Sequence, residues 1–222
     1  MLVPKHEELV ATPYRENRGK EGARTFFEEG MFHTFKQVYE YAREDVPVTI
    51  YYAFKQSETE SKNDVESTAS TGWETMLSAI IKAGFSITGT WPMKTEKPGR
   101  TIGNGTNALA SSIVLVCRKR PEGAPMGTRR DFVMALKREL HTALDELRSS
   151  NIAPVDLAQS AIGPGIGVYS RFSQVLEADG SPMTVRAALQ IINQELDAYF
   201  SDQDGDCLLY TSPSPRDLST SR

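Results

Sequence analysis

Apolar residues between positions 22 and 41 recur at steps of three and four, and this spacing predicts a helix with one buried stripe. After Pro47, residues 48–54 form a run of β-branched and aromatic side chains without polar alternation. Such a run is typical of a central strand that is covered on both faces. The first third of the chain therefore predicts a helix followed by a buried strand.

A second helix and two more strands follow. Thr71 and Glu74 have the spacing of a capping box, apolar residues continue at helical spacing, and Gly84 is a stop signal. Residues 85–91 then predict a second strand. The segment 92–110 contains turn dipeptides and no helical period, and residues 112–117 predict a third buried strand.

The connections predict the strand directions. A helix-length crossover returns the chain to the same end of the sheet, so the first two strands are expected to be parallel. The connection between the second and third strands has no such helix, which favours an antiparallel third strand. The predicted fold class is α/β, with two parallel strands, one antiparallel strand and flanking helices.

Beyond a boundary rich in proline and glycine at residues 118–128, helices are predicted at 131–147, 154–162 and 185–200. Residues 1–120 are thus expected to form one region and residues 121–200 a small helical C-terminal region. The segment from Gly163 to Gly167 follows a helical stretch rather than a strand and includes Pro164. It is predicted to be a turn and not a phosphate-binding loop.

Residues 201–222 predict a disordered tail. Within this tail, residues 207–222 resemble a translated adapter from sequencing-library preparation, and the natural sequence is expected to stop near Asp206. No function is expected from this segment.

The composition is that of a globular protein: 222 residues, 39% hydrophobic, with a formal net charge of -4. No apolar run approaches the ~20 residues that cross a bilayer, so we expect a cytoplasmic protein without membrane contact. The negative net charge gives no global attraction to nucleic acid, so any DNA contact is expected to rest on a local basic surface or on a partner segment. Neither Cys117 and Cys207 nor the three histidines have metal-ligand spacing, so no metal site and no catalytic residue is expected in this chain.

Short segments in a fixed order carry a family resemblance: residues 8–11 (ELVA), 26–31 (FFEEGM), 51–56 (YYAFKQ), 71–74 (TGWE), 88–93 (TGTWPM) and 107–112 (NALASS). Together they resemble the large adenine-specific DNA methylases that contain a zinc ribbon. Residues 152–158 and 176–181 are similar to the C-terminal end of the same proteins. The resemblance extends from about residue 3 to about residue 196.

The resemblance implies a Rossmann-like class I methyltransferase sheet, which closes with one reversed strand, and a reaction that transfers a methyl group from S-adenosylmethionine to N6 of adenine in DNA. Family members hold this cofactor with a glycine-rich loop and position the adenine with an Asp-Pro-Pro-Tyr motif, and this chain contains neither. We therefore expect a C-terminal fragment that carries strands five, six and seven. It should be inactive without the N-terminal half of the catalytic domain, and its parent is expected to serve restriction-modification or phage defence.

Ligands of open α/β sheets collect at the carboxyl ends of the parallel strands. These ends are Lys55 and Gln56 after the first strand and Trp91 after the second. Trp91 is a candidate for stacking on a flipped base, although core packing is an alternative. The following loop adds groups suited to phosphate and base-edge contacts, or else only a solvated surface: Lys94, Arg100, Asn104 and Asn107.

An alternative function belongs to a different class. A split gene would make this chain a separate, non-catalytic subunit that completes a partner's sheet and supplies DNA-facing loops. An open frame upstream that encodes the two missing motifs would favour a fragment, whereas a stop codon before Met1 would favour a subunit. An unrelated small α/β enzyme would need a complete active site within these residues, and the sequence indicates none.

Overall fold

The structure is a computed structural model that describes residues 8–10, 14, 19–52, 71–94, 111–149 and 154–208. These residues form five helices and five strands. The helices are α1 (Gly19–Tyr41), α2 (Thr71–Lys82), α3 (Arg129–Ser149), α4 (Pro154–Ser170) and α5 (Val185–Leu208). The strands are β1 (Val48–Tyr52), β2 (Phe85–Lys94), β3 (Ser111–Lys119), β4 (Met126–Thr128) and β5 (Gln174–Leu176).

Strands β1, β2 and β3 form one sheet in the order β1-β3-β2. Strand β3 is antiparallel to both neighbours, with Val48 opposite Cys117 on one side and Ile87 opposite Cys117 on the other. The predicted antiparallel pairing of the second and third strands is therefore confirmed. Because both outer strands oppose β3, β1 and β2 point in the same direction, but the reversed strand separates them.

The prediction that the first strand is central and covered on both faces is wrong for the described residues. Strand β1 is an edge strand of this sheet, and its side chains alternate between half-buried and exposed. Tyr51 is 63% exposed. A β-branched and aromatic run predicts a strand, but it does not distinguish an edge strand from a central one, because that depends on distant pairing.

Strand β2 is longer than predicted and continues through Pro92 to Lys94. Proline has no backbone N–H, so it is tolerated in a strand that pairs on one side only. Pro92 lies opposite Ile113 in this outer strand. The register shifts between Ile87 and Gly89, which is a bulge in β2.

Helices α1 and α2 pack on the same face of the sheet. The ring of Tyr39 in α1 meets Phe85 edge-on, with 5.2 Å between centroids, and Trp73 in α2 stacks on Tyr52 at 5.5 Å. Helix α2 ends at Lys82, and Gly84 is the predicted stop signal after it: its φ of 107° suits glycine, and its N–H donates to the Ile81 carbonyl. The residues of β2 and β3 that belong to the hydrophobic core lie on this face.

The predicted turn at Gly163–Gly167 is wrong, because this segment lies inside α4. Its glycines allow the helix to approach its neighbours closely: a Cβ at Gly163 would lie 2.5 Å from the Cβ of Thr90, and one at Gly165 would lie 2.6 Å from Cγ2 of Ile192. Local propensity predicted a turn, but tertiary contact decides the conformation here.

Helix α4 follows the side of β2 that faces away from β3. The backbone N–H of Ile87 donates to the Ser170 hydroxyl at 2.8 Å, and a Cβ at Gly167 would lie 3.2 Å from the Ile87 carbonyl oxygen. Covering an outer strand with a helix prevents another chain from pairing with it. Helix α4 therefore closes one edge of the sheet.

The C-terminal region contains more than the predicted helices. Strands β4 and β5 form a small parallel sheet, and Thr128 and Asp131 cap α3 through reciprocal hydrogen bonds. Helix α5 continues to Leu208, past position 201 where the disordered tail was expected to begin. Residues 209–222 lie outside the described part of the chain.

Arg120 links the three-stranded sheet to the C-terminal region. Its Nη2 donates to the carbonyls of Ile81 (2.6 Å) and Phe85 (3.2 Å), and its Nη1 donates to those of Phe172 (3.0 Å) and Ser173 (3.1 Å). Burial lowers the pKa of this guanidinium, although the neighbouring tyrosines oppose the shift. The two regions share one hydrophobic core, so Arg120 lies inside a common fold and not in a linker.

Gly163→Ala should destabilise the protein by about 1–3 kcal/mol, because the added methyl group would overlap Thr90. Gly123→Ala is the matched control, since its added methyl group meets no atom within 4 Å. Urea unfolding followed by circular dichroism measures both variants. Equal midpoints for the two variants would contradict the close contact between α4 and β2.

Arg120→Met should cost about 2 kcal/mol or more, because it leaves buried carbonyls without donors. Arg118→Met is the control: Arg118 is exposed and makes one long hydrogen bond, 3.4 Å to the Asp45 carbonyl, so a change within about 0.5 kcal/mol is expected. Thermal unfolding measures the difference. A cost for Arg120→Met no larger than that of the control would show that Arg120 does not link the regions.

Candidate functional site

Only part of the predicted DNA-contacting set can be located. Lys55, Gln56, Arg100, Asn104 and Asn107 lie outside the described residues. Lys94 is the last residue of β2 and pairs with Ser111 in β3. Trp91 lies three residues earlier in the same strand and is the predicted residue whose side chain the structure describes.

Trp91 is 66% exposed, so the alternative in which it packs in the core is wrong. In the sheet register it lies opposite Val114, and Tyr51 lies opposite Val114 from the other side. Val114 is only 4% exposed, but it does not belong to the main core cluster. The two exposed aromatic rings therefore flank a valine on the face of the sheet opposite α1 and α2.

We call this surface the open face, defined by Thr49, Tyr51, Val114, Val116, Trp91 and Met93. Tyr51, Trp91 and Met93 are among the large hydrophobic residues that remain exposed in the described structure. Grouped exposed side chains of this kind mark interaction surfaces more often than scattered ones do. The open face is therefore the first candidate for contact with another molecule.

A cavity of about 770 Å³ adjoins the open face at Trp91, and we call it the Trp91 cavity. Strand β2 contributes its bulge residues and Trp91, and α4 contributes the surface of its glycines and Pro164. Helix α3 forms one wall of the cavity, which we call the α3 wall, with Glu139, Ala143, Glu146 and Leu147. Arg171, directly after the end of α4, also lines the cavity. The volume is within the usual range of about 300–1,000 Å³ for ligand pockets.

The charged groups of the Trp91 cavity are two carboxylates and one guanidinium. Arg171 and Arg138 both form ion pairs with Glu139. Burial raises the pKa of Glu139, but the hydrogen bonds from Arg138 and Arg171 outweigh burial, so the pKa is lowered overall. Glu139 is therefore held in its ionised form between two guanidinium groups.

A second cavity, of about 890 Å³, lies between α1, α2 and the C-terminal region. Two of its carboxylates have arginine partners: Arg24 donates to Glu28 at 2.8 Å, and Arg186 donates to Glu74 at 2.8 Å. The second pair joins α5 to α2, which lie 112 residues apart in sequence. The first pair lies within α1, whereas the second is a contact between two helices.

The described residues contain no group of three or more His, Cys, Asp or Glu side chains that could hold a metal ion. Cys117 is buried, and burial raises the pKa of its thiol to about 12. A thiol that remains protonated at neutral pH is a poor nucleophile, so Cys117 is a core residue. Among the helices of this described part, none is both long and apolar enough to cross a membrane.

Comparison with family models, with curated proteins and with solved structures finds no match to this chain. The resemblance to adenine-specific DNA methylases therefore stays a prediction that rests on the sequence segments.

The sequence prediction missed the α3 wall of the Trp91 cavity. Glu139, Ala143 and Glu146 are spaced by four and three residues, so the predicted helix already placed them on one side. What the sequence does not reveal is that this side faces β2. Arg171 was missed because the sequence analysis ended the preceding helix at residue 162.

The two tryptophans should differ sharply in solvent access. Trp73 is 2% exposed and Trp91 is 66% exposed, so acrylamide should quench the Trp73→Phe variant strongly and the Trp91→Phe variant weakly. Each variant retains one tryptophan and serves as the other's control. Equal quenching constants would contradict the exposed position of Trp91.

Proposed function

We propose that this chain is the C-terminal half of the catalytic domain of an S-adenosylmethionine-dependent DNA methyltransferase that acts on N6 of adenine. The observation that supports this most is the strand order β1-β3-β2, in which a reversed strand separates two strands of common direction. The resemblance to class I methyltransferases implies a parallel sheet that closes with one reversed strand, and β3 is antiparallel to both of its neighbours. On this assignment β1, β2 and β3 are strands five, six and seven.

The helix arrangement is a second argument. Helices α1 and α2 precede β1 and β2 in the chain, and both pack on one face of the sheet. Doubly wound sheets carry helices on both faces, because each strand buries side chains on two sides. A missing N-terminal half would supply strands beside β1 and helices over the open face.

The chemistry of methyl transfer must come from that other half. Among the described residues, Gly163–Gly167 is a glycine-rich segment, but it lies inside α4, where Thr90 and Ile192 occupy the space beside its glycines. These residues therefore do not fit a cofactor cradle. Without groups that orient the methyl donor against the adenine amino group, the chain alone should be inactive.

The separate-subunit alternative is supported by one observation. The sheet and the C-terminal helices share a single hydrophobic core, which is a property of chains that fold as a unit. Such a subunit would use the same β1 edge and the same open face to complete its partner. The fragment proposal and the subunit proposal therefore predict the same contact surface. They differ in what they predict for the DNA upstream of this chain.

Titration calorimetry tests the proposal. The purified chain should not bind S-adenosylmethionine, and binding should appear when an upstream segment that encodes the glycine-rich loop and the Asp-Pro-Pro-Tyr motif is co-expressed. Micromolar binding by this chain alone would contradict the proposal. So would failure of any upstream segment to restore binding.

A pair of tyrosine variants distinguishes specific complementation from aggregation. Tyr51→Asp places a charge on the open face and should prevent assembly with the upstream segment, since an unpaired charge in an interface is costly. Tyr41→Asp is the matched control, because Tyr41 is 86% exposed at the end of α1. Co-purification measures assembly, and equal loss with both variants would argue against the open face as the contact surface.

A further inference from the structure

We draw no further inference here: the strongest candidate, the Trp91 cavity between β2, α3 and α4, does not indicate which ligand it would take, because the charged side chains among its described residues already have partners and Trp91 belongs to the open face used in the proposed function.

Discussion

The double pairing of β3 is the constraint on which the rest of the structure depends. This reversed strand holds β1 on one side and β2 on the other, and its side chains Leu115 and Cys117 are fully buried. The two outer strands then have different surroundings. Helix α4 covers β2 because Gly163 and Gly167 permit a close approach, and Ser170 accepts the Ile87 amide hydrogen. Nothing comparable covers β1 among the described residues, so in this part of the chain the sheet is closed at one edge and open at the other.

This asymmetry connects the fold to the proposed function. A doubly wound domain needs further strands beside β1 and helices over the open face, and a methyltransferase of the proposed kind would supply both from its N-terminal half. The exposed rings of Tyr51 and Trp91 lie on that face, on either side of Val114. Trp91 also borders the cavity lined by α3. The same residue thus adjoins both the surface proposed for assembly and the Trp91 cavity.

Features with strong local signals could be predicted from the sequence. Apolar periodicity predicted α1, α2, α3 and α5, and Gly84 predicted the end of α2. Features that depend on distant contacts could not be predicted: the insertion of β3 between its neighbours, the exposure of β1, and the face on which Trp91 lies. At Gly163–Gly167, local propensity predicted a turn, whereas packing against Thr90 and Ile192 produces a helix. The charged wall of the cavity was missed for the same reason, because helical spacing groups Glu139 with Glu146 without indicating which surface they face.

Residue-resolved hydrogen exchange of the isolated chain, measured by NMR, tests the central claim most directly. The account predicts that the amides of β3 exchange most slowly, because β3 is paired on both sides. It also predicts that Ile87 remains protected in an outer strand, because Ser170 accepts its amide hydrogen. Amides of β1 that point away from β3 should exchange rapidly. Uniform protection across β1 and β3 would show that the open edge is covered within this chain, and would contradict the proposal that the sheet requires another half.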